Sequence, residues 1–361
     1  MQFKNRILSL ALSLSLLLLA LSGCADLDSY IPTPPSSAPI SQNTQTNSSD
    51  FRITFLDVGQ ADSILVECDG HSMLVDGGNV EDSDLIYSVL KRKGIEQLDY
   101  VICTHAHEDH VGGLTGALNY ATASVALSPV TSYDSKAFTN FANIVAKQGL
   151  ELQRPQPEDT FSLGSATIIV LGPVKDYDDT NNTSIVVKVL FGETSYLLTG
   201  DMERKAELDL IESGADLSAD VLKIGHHGSN TSSSYAFLNE VMPSYAVISC
   251  GEGNSYGHPH EEVLSRLRDA DTVLYRTDLQ GDIILTSDGT NIYFETGRNA
   301  QVETNPTESP AAVMEYIGNK NSLKLHLPSC GSLPAEHNQV IFSSVEAAVK
   351  EGYSLCGTCM Q

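Results

Sequence analysis

The stretch "THAHEDHVGG" at residues 104–113 carries three histidines and two acidic residues within six positions. It directly follows "LDYVIC" at residues 98–103, an apolar run that predicts a buried strand. Ionisable groups at the mouth of a buried strand are costly unless a bound partner compensates for their burial. A polar loop with scattered histidines is the plain alternative. Imidazole and carboxylate together bind zinc, iron and manganese, so the run predicts a metal site at a strand end.

The spacing within this run suits two ions. His105 and His107 can face one cation while Asp109 and His110 face another. The following "VGG" lets the backbone turn closely beneath the site and start a helix.

The rest of the chain from Phe51 onward indicates an α/β domain. Short β-rich runs are separated by Gly and Asp turns, and helical patterns occupy residues 84–94 and 135–149. Strands that alternate with helices are typical of a layered α/β domain. Cys68, Cys103 and Cys250 lie in apolar, strand-like stretches, so we expect them to be buried free thiols.

Two segments share one plan. "SILVECDGHSMLVDGG" (63–78) and "SIVVKVLFGETSYLLTGD" (184–201) both begin with Ser-Ile, turn through Gly and return on a second strand. Such internal similarity predicts two halves built from the same hairpin. A two-fold repeat would bring Asp76 and Asp201 to the loop at 104–113.

Four ordered phrases extend the signal beyond the histidine run. With "LVDGG", "LLTGD" and "LKIGHHGS", the run resembles the metallo-β-lactamase superfamily over residues 51–297. Within it, the sequence is similar to the hydrolase domain of ComEC-type DNA-uptake proteins. The phrases that carry this likeness are "FLDVGQADS" (55–63), "NNTSIVVK" (181–188), "LKIGHHGSNTS" (222–232) and "NSYGHPHEEVLSRL" (254–267). The resemblance implies a four-layered αββα fold and hydrolysis at two divalent metal ions, zinc or manganese.

The resemblance also implies roles for individual residues. His105 and His107 hold the first metal, Asp109 and His110 hold the second, and Asp201 bridges them. Either His226 or His227 closes the second site, and Asp76 orients the cluster from behind the ligands. The sequence does not decide between the two adjacent histidines.

One departure concerns the first metal. The superfamily usually has a histidine before the strand that leads to the bridging Asp, whereas this chain reads "DDTNNTS". Asn181 or Asn182 then takes that place. An amide oxygen is a harder ligand than imidazole, so we expect weaker occupancy and a shift from zinc towards manganese.

Two residues are our candidates for the catalytic steps. Asp109 is placed to take up a proton from the attacking water, and His258 in "YGHPH" to contact phosphate or protonate the leaving group. The alternative for His258 is a loop histidine fixed by Pro259. Asp57 and Gln60 are candidates for the same pocket, with structural turn roles as the alternative.

The C-terminal segment at residues 313–361, which follows a polar linker at 298–312, predicts a small zinc-stapled domain. Its possible ligands are His326, Cys330, Cys356 and Cys359, the set of a tetrahedral structural zinc. A unit of this size needs such a staple. The alternative is one disulfide and a spare cysteine. The segment resembles the Ada-type zinc-binding domain through "GNKNS", "FSSVEAA" and the Cys-x-x-Cys pair.

The N-terminus predicts export and anchoring. Residues 1–24 have a basic start, an apolar run and "LSGC", which resembles a lipoprotein signal peptide with Cys24 as the lipidated residue. An ordinary signal peptide or a transmembrane anchor is the alternative. Residues 25–50 are rich in Pro, Ser, Thr and Asn, as in a disordered tether. We therefore expect an extracytoplasmic protein anchored to the cell membrane.

The net charge of the chain argues against one class of function. The 361 residues carry a formal net charge of −25, which argues against loose, sequence-independent nucleic-acid binding. The leading hypothesis is still a surface-anchored phosphodiesterase, a DNA nuclease that works with DNA-uptake machinery. Hydrolysis of a small or surface-bound ester, such as a phosphocholine ester or a lactone, is the second hypothesis. A non-catalytic DNA-binding lipoprotein is the third.

Overall fold

The computed structural model describes residues 50–307, 316–328, 330–342 and 345–360. The predicted signal peptide, the lipidation site Cys24 and all of the predicted tether except Asp50 lie outside the described residues. Within the described part of the chain, no helix is long and apolar enough to cross a membrane.

Residues 51–296 contain fifteen strands in two sheets. In chain order they are Phe51–Phe55 (β1), Ile64–Cys68 (β2), His71–Val75 (β3), Gln97–Ile102 (β4), Thr122–Leu127 (β5), Leu152–Gln153 (β6), Thr160–Leu163 (β7), Ala166–Gly172 (β8), Val186–Phe191 (β9), Thr194–Leu198 (β10), Val221–Lys223 (β11), Tyr245–Ile248 (β12), Val273–Arg276 (β13), Ile283–Ser287 (β14) and Ile292–Thr296 (β15).

This region has eight α-helices. They are Ser83–Lys93 (α1), Glu108–Val111 (α2), Leu114–Tyr120 (α3), Lys136–Lys147 (α4), Arg204–Glu212 (α5), Tyr235–Val241 (α6), Glu261–Asp269 (α7) and Thr277–Gln280 (α8). Helix α4 begins at a favourable cap, because the Ser135 hydroxyl accepts a hydrogen bond from the backbone N–H of Phe138.

The two sheets have matching topologies. The first has the order β15-β14-β1-β2-β3-β4-β5-β6 and is antiparallel up to β3 and parallel from β3 to β6. The second has the order β13-β12-β11-β10-β9-β8-β7 and is parallel from β13 to β10 and antiparallel beyond. The residues of the candidate site follow the ends of the parallel strands in the two sheets.

Three apolar clusters define four layers. The largest lies between the sheets and joins residues such as Phe51, Val66, Val187 and Tyr196. A second packs α1, α3 and α4 against the outer face of the first sheet, and a third packs α5, α6 and α7 against the second. This αββα arrangement confirms the predicted fold class. It also explains the continuous apolar runs of the strands, since both faces of each sheet are covered.

The predicted repeat is present as two antiparallel hairpins, β2–β3 and β9–β10. An aspartate follows each hairpin. Asp76 comes directly after β3, and Asp201 comes after a short turn that follows β10. The predicted helices at 84–94 and 135–149 correspond to α1 and α4. Cys68, Cys103 and Cys250 are free and buried, as expected.

The described part of the predicted linker is tied to strand β13 and helix α7. The Thr304 hydroxyl donates to the carbonyl of Leu274 at 2.6 Å, and the Asn305 side chain donates to the carbonyl of Leu264 at 3.1 Å. In its described residues, the C-terminal segment has a separate four-stranded sheet and one α-helix. These elements are Tyr316–Asn319 (β16), Lys324–His326 (β17), Gln339–Phe342 (β18), Ser354–Leu355 (β19) and Val345–Lys350 (α9).

Candidate metal centre

The histidine run lies where β4 ends. Thr104 and His105 follow the strand and are buried, and His107 precedes the short helix α2, which carries Asp109 and His110. Backbones pack tightly beneath this turn: a Cβ atom on Gly112 would lie 2.3 Å from the backbone nitrogen of Val80. The glycines after His110 therefore allow the close approach that the sequence indicated.

Asp76 orients His110. Its Oδ2 lies 2.8 Å from His110 Nδ1 and accepts the Thr104 hydroxyl at 2.7 Å, and its Oδ1 accepts the Thr104 backbone N–H at 2.8 Å. A carboxylate can only accept at this contact, so Nδ1 of His110 carries a proton and Nε2 faces the ligand cluster. Although burial opposes it, the negative charges of Asp201, Asp76 and Asp109 raise the pKa of His110 well above its usual value, so a cation that binds Nε2 would displace the second proton. This is the arrangement of a metal-binding histidine supported by a carboxylate.

Four side chains bring ligand atoms together. One oxygen or nitrogen of each of Asp109, His110, Asp201 and His227 lies within 4.8 Å of the others. Three buried atoms of this cluster have no hydrogen-bond partner: His110 Nε2, Asp201 Oδ1 and His227 Nε2. Such atoms are costly to bury. A divalent cation accounts for all three, because oxygen and imidazole nitrogen are its usual ligands, so the residues fit a bound metal ion.

A second group adjoins the first through Asp201. His105 Nε2 lies 3.1 Å from His107 Nδ1 and 3.9 Å from Asp201 Oδ2. Complete burial, with the nearby charge of His110, holds the pKa of His105 well below its usual value. His105 is therefore neutral, which is the form that binds metals.

The structure separates the two adjacent histidines. His227 is buried, and its Nε2 lies 3.4 Å from Asp109 Oδ2 and 3.6 Å from Asp201 Oδ2. Its Nδ1 lies 3.0 Å from the carbonyl of Ser249, which fixes the ring. His226 stands at the rim with its side chain 24 % exposed. Its Nδ1 lies 3.2 Å from Glu203 Oε1, and its Nε2 lies 3.8 Å from Asp201 Oδ2. His227 joins the four-residue cluster and His226 does not.

The two asparagines also differ. Asn182 Oδ1 accepts the backbone N–H groups of Glu203 and Ala206 at the start of α5, and its amide nitrogen donates to Asp179. Both polar atoms of the Asn182 amide are therefore occupied by hydrogen bonds within the protein. Asn181 Oδ1, in contrast, is buried without a hydrogen-bond partner.

His258 lies on a loop that faces the cluster from the second sheet. Its ring centroid is 6.5 Å from that of His227, with the planes at 24°. Burial, followed by the charges of neighbouring histidines, lowers the pKa of His258 to about 4. The ring is therefore neutral near pH 7. His260 accepts the backbone N–H of Asn230 at 3.0 Å, a structural contact.

One pocket candidate, Asp57, takes the structural role that was its alternative. Its Oδ2 binds Arg298 Nη1 at 2.9 Å, and the structure gives it no contact with the described ligands. Asp62, five residues on, lies beside the ligands instead: its Oδ1 is 3.7 Å from His227 Nδ1. Its Oδ2 binds Lys223 Nζ at 2.8 Å, and both side chains are almost fully buried. A lysine inside the apolar run "ADVLKIG" was the available signal.

The C-terminal segment has its own candidate site. The ligand atoms of His326, Cys330, Cys356 and Cys359 all lie within 4.8 Å of one another. A hydrogen bond from the backbone of Thr358 is the main cause that lowers the pKa of Cys356 to about 7. A thiol that ionises near neutral pH suits zinc, which binds the thiolate.

Two curated proteins are similar to this chain in sequence. The chain is 30 % identical to "ComE operon protein 3" of Bacillus subtilis, over 65 % of this chain and 33 % of that protein. It is 34 % identical to "Competence protein ComA" of Neisseria gonorrhoeae, over 63 % of this chain and 31 % of that protein. The chain thus spans about a third of the length of these curated relatives.

A solved structure and a family model also match the chain. The metallo-β-lactamase fold protein YhfI from Bacillus subtilis is 16 % identical, with a TM-score of 0.43, over 68 % of this chain and 100 % of YhfI. Residues 56–252, more than half of the chain, match the family described as the metallo-beta-lactamase superfamily. The chain therefore belongs to the metallo-β-lactamase superfamily.

Proposed function

We propose that this protein is a metal-dependent phosphodiesterase that cleaves DNA outside the cell membrane. The observation that carries the proposal is the convergence of four ligand atoms from Asp109, His110, Asp201 and His227, three residues of which have unpaired buried atoms. The similarity to a protein named as a competence protein supports DNA as the substrate and DNA uptake as the setting.

In this proposal, His105, His107 and Asp201 hold a first metal ion, and the four-residue cluster holds a second. Asn181 completes the first site, since its buried Oδ1 has no hydrogen-bond partner while that of Asn182 caps α5. Two divalent cations bound there would make water acidic and offset the negative charge of a phosphodiester. The amide ligand favours manganese over zinc at the first site.

Two side chains act on the substrate. Asp109 takes up a proton from the attacking water: although burial opposes its ionisation, the charge of His110 and the contact with His227 keep the pKa of Asp109 below its usual value. It is therefore ionised near pH 7, the form that can accept a proton, although the lowered pKa makes it a weak base. His258 is neutral near pH 7, so it serves as a hydrogen-bond donor to a phosphoryl oxygen better than as an acid for the leaving group.

The test compares two adjacent acidic residues. Purified protein with manganese or zinc is incubated with single-stranded and double-stranded DNA. Asp109→Ala should lower the rate by about 10³-fold, because it removes a proton acceptor and a ligand. Glu108→Ala removes the same charge from the neighbouring exposed position and should leave the rate within about twofold. Equal rates for the two variants would exclude hydrolysis at this site.

A small or surface-bound ester is the second candidate substrate. The net charge of −25 favours it, because a polyanion is repelled at long range by such a surface. Phosphocholine esters and lactones are therefore assayed beside DNA. Turnover of an ester without DNA cleavage would replace the nuclease proposal. Metal binding with turnover of neither class would favour a non-catalytic DNA-binding protein.

We propose that the C-terminal segment binds one structural zinc ion through His326, Cys330, Cys356 and Cys359. The support is the clustering of the four ligand atoms and the small apolar core around Leu325 and Tyr353. Elemental analysis of the whole chain and of a chain ending at residue 312 should differ by one zinc. A disulfide between two of these cysteines in the native protein would contradict the assignment.

We propose that a lipid on Cys24 anchors the protein to the outer side of the cell membrane. The support is the sequence of residues 1–24, since this region lies outside the described residues. Cells that express the chain are labelled with a fatty-acid analogue. Wild type should incorporate the label and Cys24→Ser should not; label in both would contradict lipidation at this position.

A further inference from the structure

We infer that Gln60 is a positioning residue that decides which ring nitrogen of His258 carries the proton. Its carboxamide lies between the loop after β1 and the loop after β12, and contacts both Gly251 and His258. The catalytic consequence rests on the proposed phosphodiesterase function, whereas the position of the proton does not.

The orientation of the Gln60 amide follows from its neighbours. The atom that lies 3.1 Å from the backbone nitrogen of Gly251 must be the oxygen, because a backbone N–H can only donate. The amide nitrogen then lies 3.2 Å from His258 Nδ1. An amide nitrogen can only donate, so Nδ1 must accept. Neutral imidazole has one acceptor and one donor, and the proton of His258 therefore lies on Nε2.

The backbone makes this contact possible. A Cβ atom on Gly251 would lie 2.8 Å from the backbone nitrogen of Gln60, so the two loops touch without any side chain between them. Asn254 holds the other end of the second loop: its Oδ1 accepts the backbone N–H of His258 at 3.0 Å, and its Nδ2 donates to the His258 carbonyl at 2.6 Å. Asn254 thus fixes the backbone of His258, and Gln60 fixes its ring.

The free side of the ring is the side that can meet substrate. Among the described residues, none forms a hydrogen bond with His258 Nε2, and the ring packs near His226 and His227 with centroids 5.6 and 6.5 Å away. An N–H there attracts an anionic oxygen, whereas the lone pair of the other tautomer repels it. Gln60 therefore keeps His258 in the form that can donate to a phosphoryl oxygen.

The experiment observes the proton itself. The full chain is labelled with ¹⁵N-histidine, and the signal of His258, one of ten histidines, is identified with His258→Gln. Wild type should show the proton on Nε2. In Gln60→Glu, the carboxylate can only accept, so the proton should move to Nδ1 or the ring should become doubly protonated. Gln97→Glu, which adds the same charge at an exposed residue, should leave the signal unchanged.

A second variant keeps the inference testable if Gln60→Glu does not fold. Gln60→Leu removes the donor without adding charge and should give a mixture of both tautomers. A wild-type proton on Nδ1, or ring signals unchanged in both Gln60 variants, would overturn the inference.

Measuring turnover distinguishes a failure of the proposed function from a failure of the role proposed for Gln60. The substrate is whichever one the wild type cleaves. Gln60→Glu should lower kcat/KM by about 10²-fold, as expected for loss of a preorganised donor. A tautomer change without any loss of turnover would refute the catalytic role of Gln60. If wild type cleaves no phosphodiester, the proposed function fails, yet the ring signals still decide whether Gln60 sets the tautomer.

Discussion

Lys223→Met should strongly destabilise the protein although it changes no proposed metal ligand. Lys223 Nζ binds Asp62 Oδ2 at 2.8 Å and the carbonyl of Ile224 at 2.9 Å. The side chains of Lys223 and Asp62 are 0 % and 1 % exposed, so water cannot replace the ammonium group. Methionine fills a similar volume, and the loss is therefore almost entirely that of the charge. Breaking a buried pair from one side costs about 3–5 kcal/mol.

The matched control is a second buried lysine. Lys188 binds Asp216 Oδ2 at 2.8 Å, but the Asp216 side chain is 76 % exposed and can be solvated when its partner is lost. Lys188→Met should therefore cost only about 1 kcal/mol. The contrast tests whether burial of the carboxylate, and not the removal of a lysine, determines the cost.

Urea unfolding at a fixed metal concentration measures both changes. The chain has no tryptophan, so the transition is followed by far-UV circular dichroism. Adding Asp62→Leu to Lys223→Met should recover at least about 2 kcal/mol, because no unpaired charge remains buried. A cost of under about 1 kcal/mol for Lys223→Met, or simple additivity in the double variant, would refute this reasoning.

Three further predictions address other parts of the chain. Lys188 and Ser218 lower the pKa of Asp216 from 3.8 to about 2, so its ionised form stabilises the fold above pH 3.8, and this stability is lost as pH falls towards 2. Asp216→Asn should thus cost under about 1 kcal/mol at pH 7 and almost nothing at pH 2, by urea titration. Gly112→Ala should cost about 1–3 kcal/mol and weaken metal binding, measured by calorimetry, because its Cβ would meet the Val80 backbone. Cys356→Ser should remove one zinc per chain in elemental analysis and leave the metal at Asp109 in place.

The parts of the site that follow local rules could be predicted from the sequence. The apolar run before the histidines gave β4, and Asp76 and Asp201 follow equivalent hairpins. Because the parallel strands of each half end at one edge, residues that follow them meet there. The sequence therefore predicts that the histidine run and both aspartates lie together.

Choices between adjacent residues could not be predicted. His226 and His227 both have positive φ angles, 51° and 52°, so their side chains leave a tight turn in directions that the sequence does not encode. Asn181 and Asn182 share a short helical turn, and only the packing of α5 decides which amide is used as its cap. Both ambiguities depend on side-chain direction, which is a property of the folded turn and not of residue type.

Partners distant in sequence were missed for a related reason. Asp62 and Lys223 are separated by 161 positions, and each alone is an ordinary charged residue in an apolar phrase. Only the stacking of the two sheets brings the loop after β1 against the end of β11. Gln60 and Gly251 meet through the same contact between halves. The candidate site is thus assembled by the inter-sheet core, and the residues that position its side chains are those that cross from one half to the other.

The charge of the chain bears on how such a site would select a phosphodiester. Asp62, Asp76, Asp109 and Asp201 surround the imidazoles, and the net charge is −25, so the protein alone repels a phosphate. Only cations held by the cluster can reverse that sign, and at physiological ionic strength their field is screened beyond about 8 Å. Attraction is then confined to the one or two phosphates that reach the site. Under the proposed function, such a site would select a bond by contact geometry instead of by gathering a polymer on its surface, and recognition would depend on short contacts such as the proposed donation from His258.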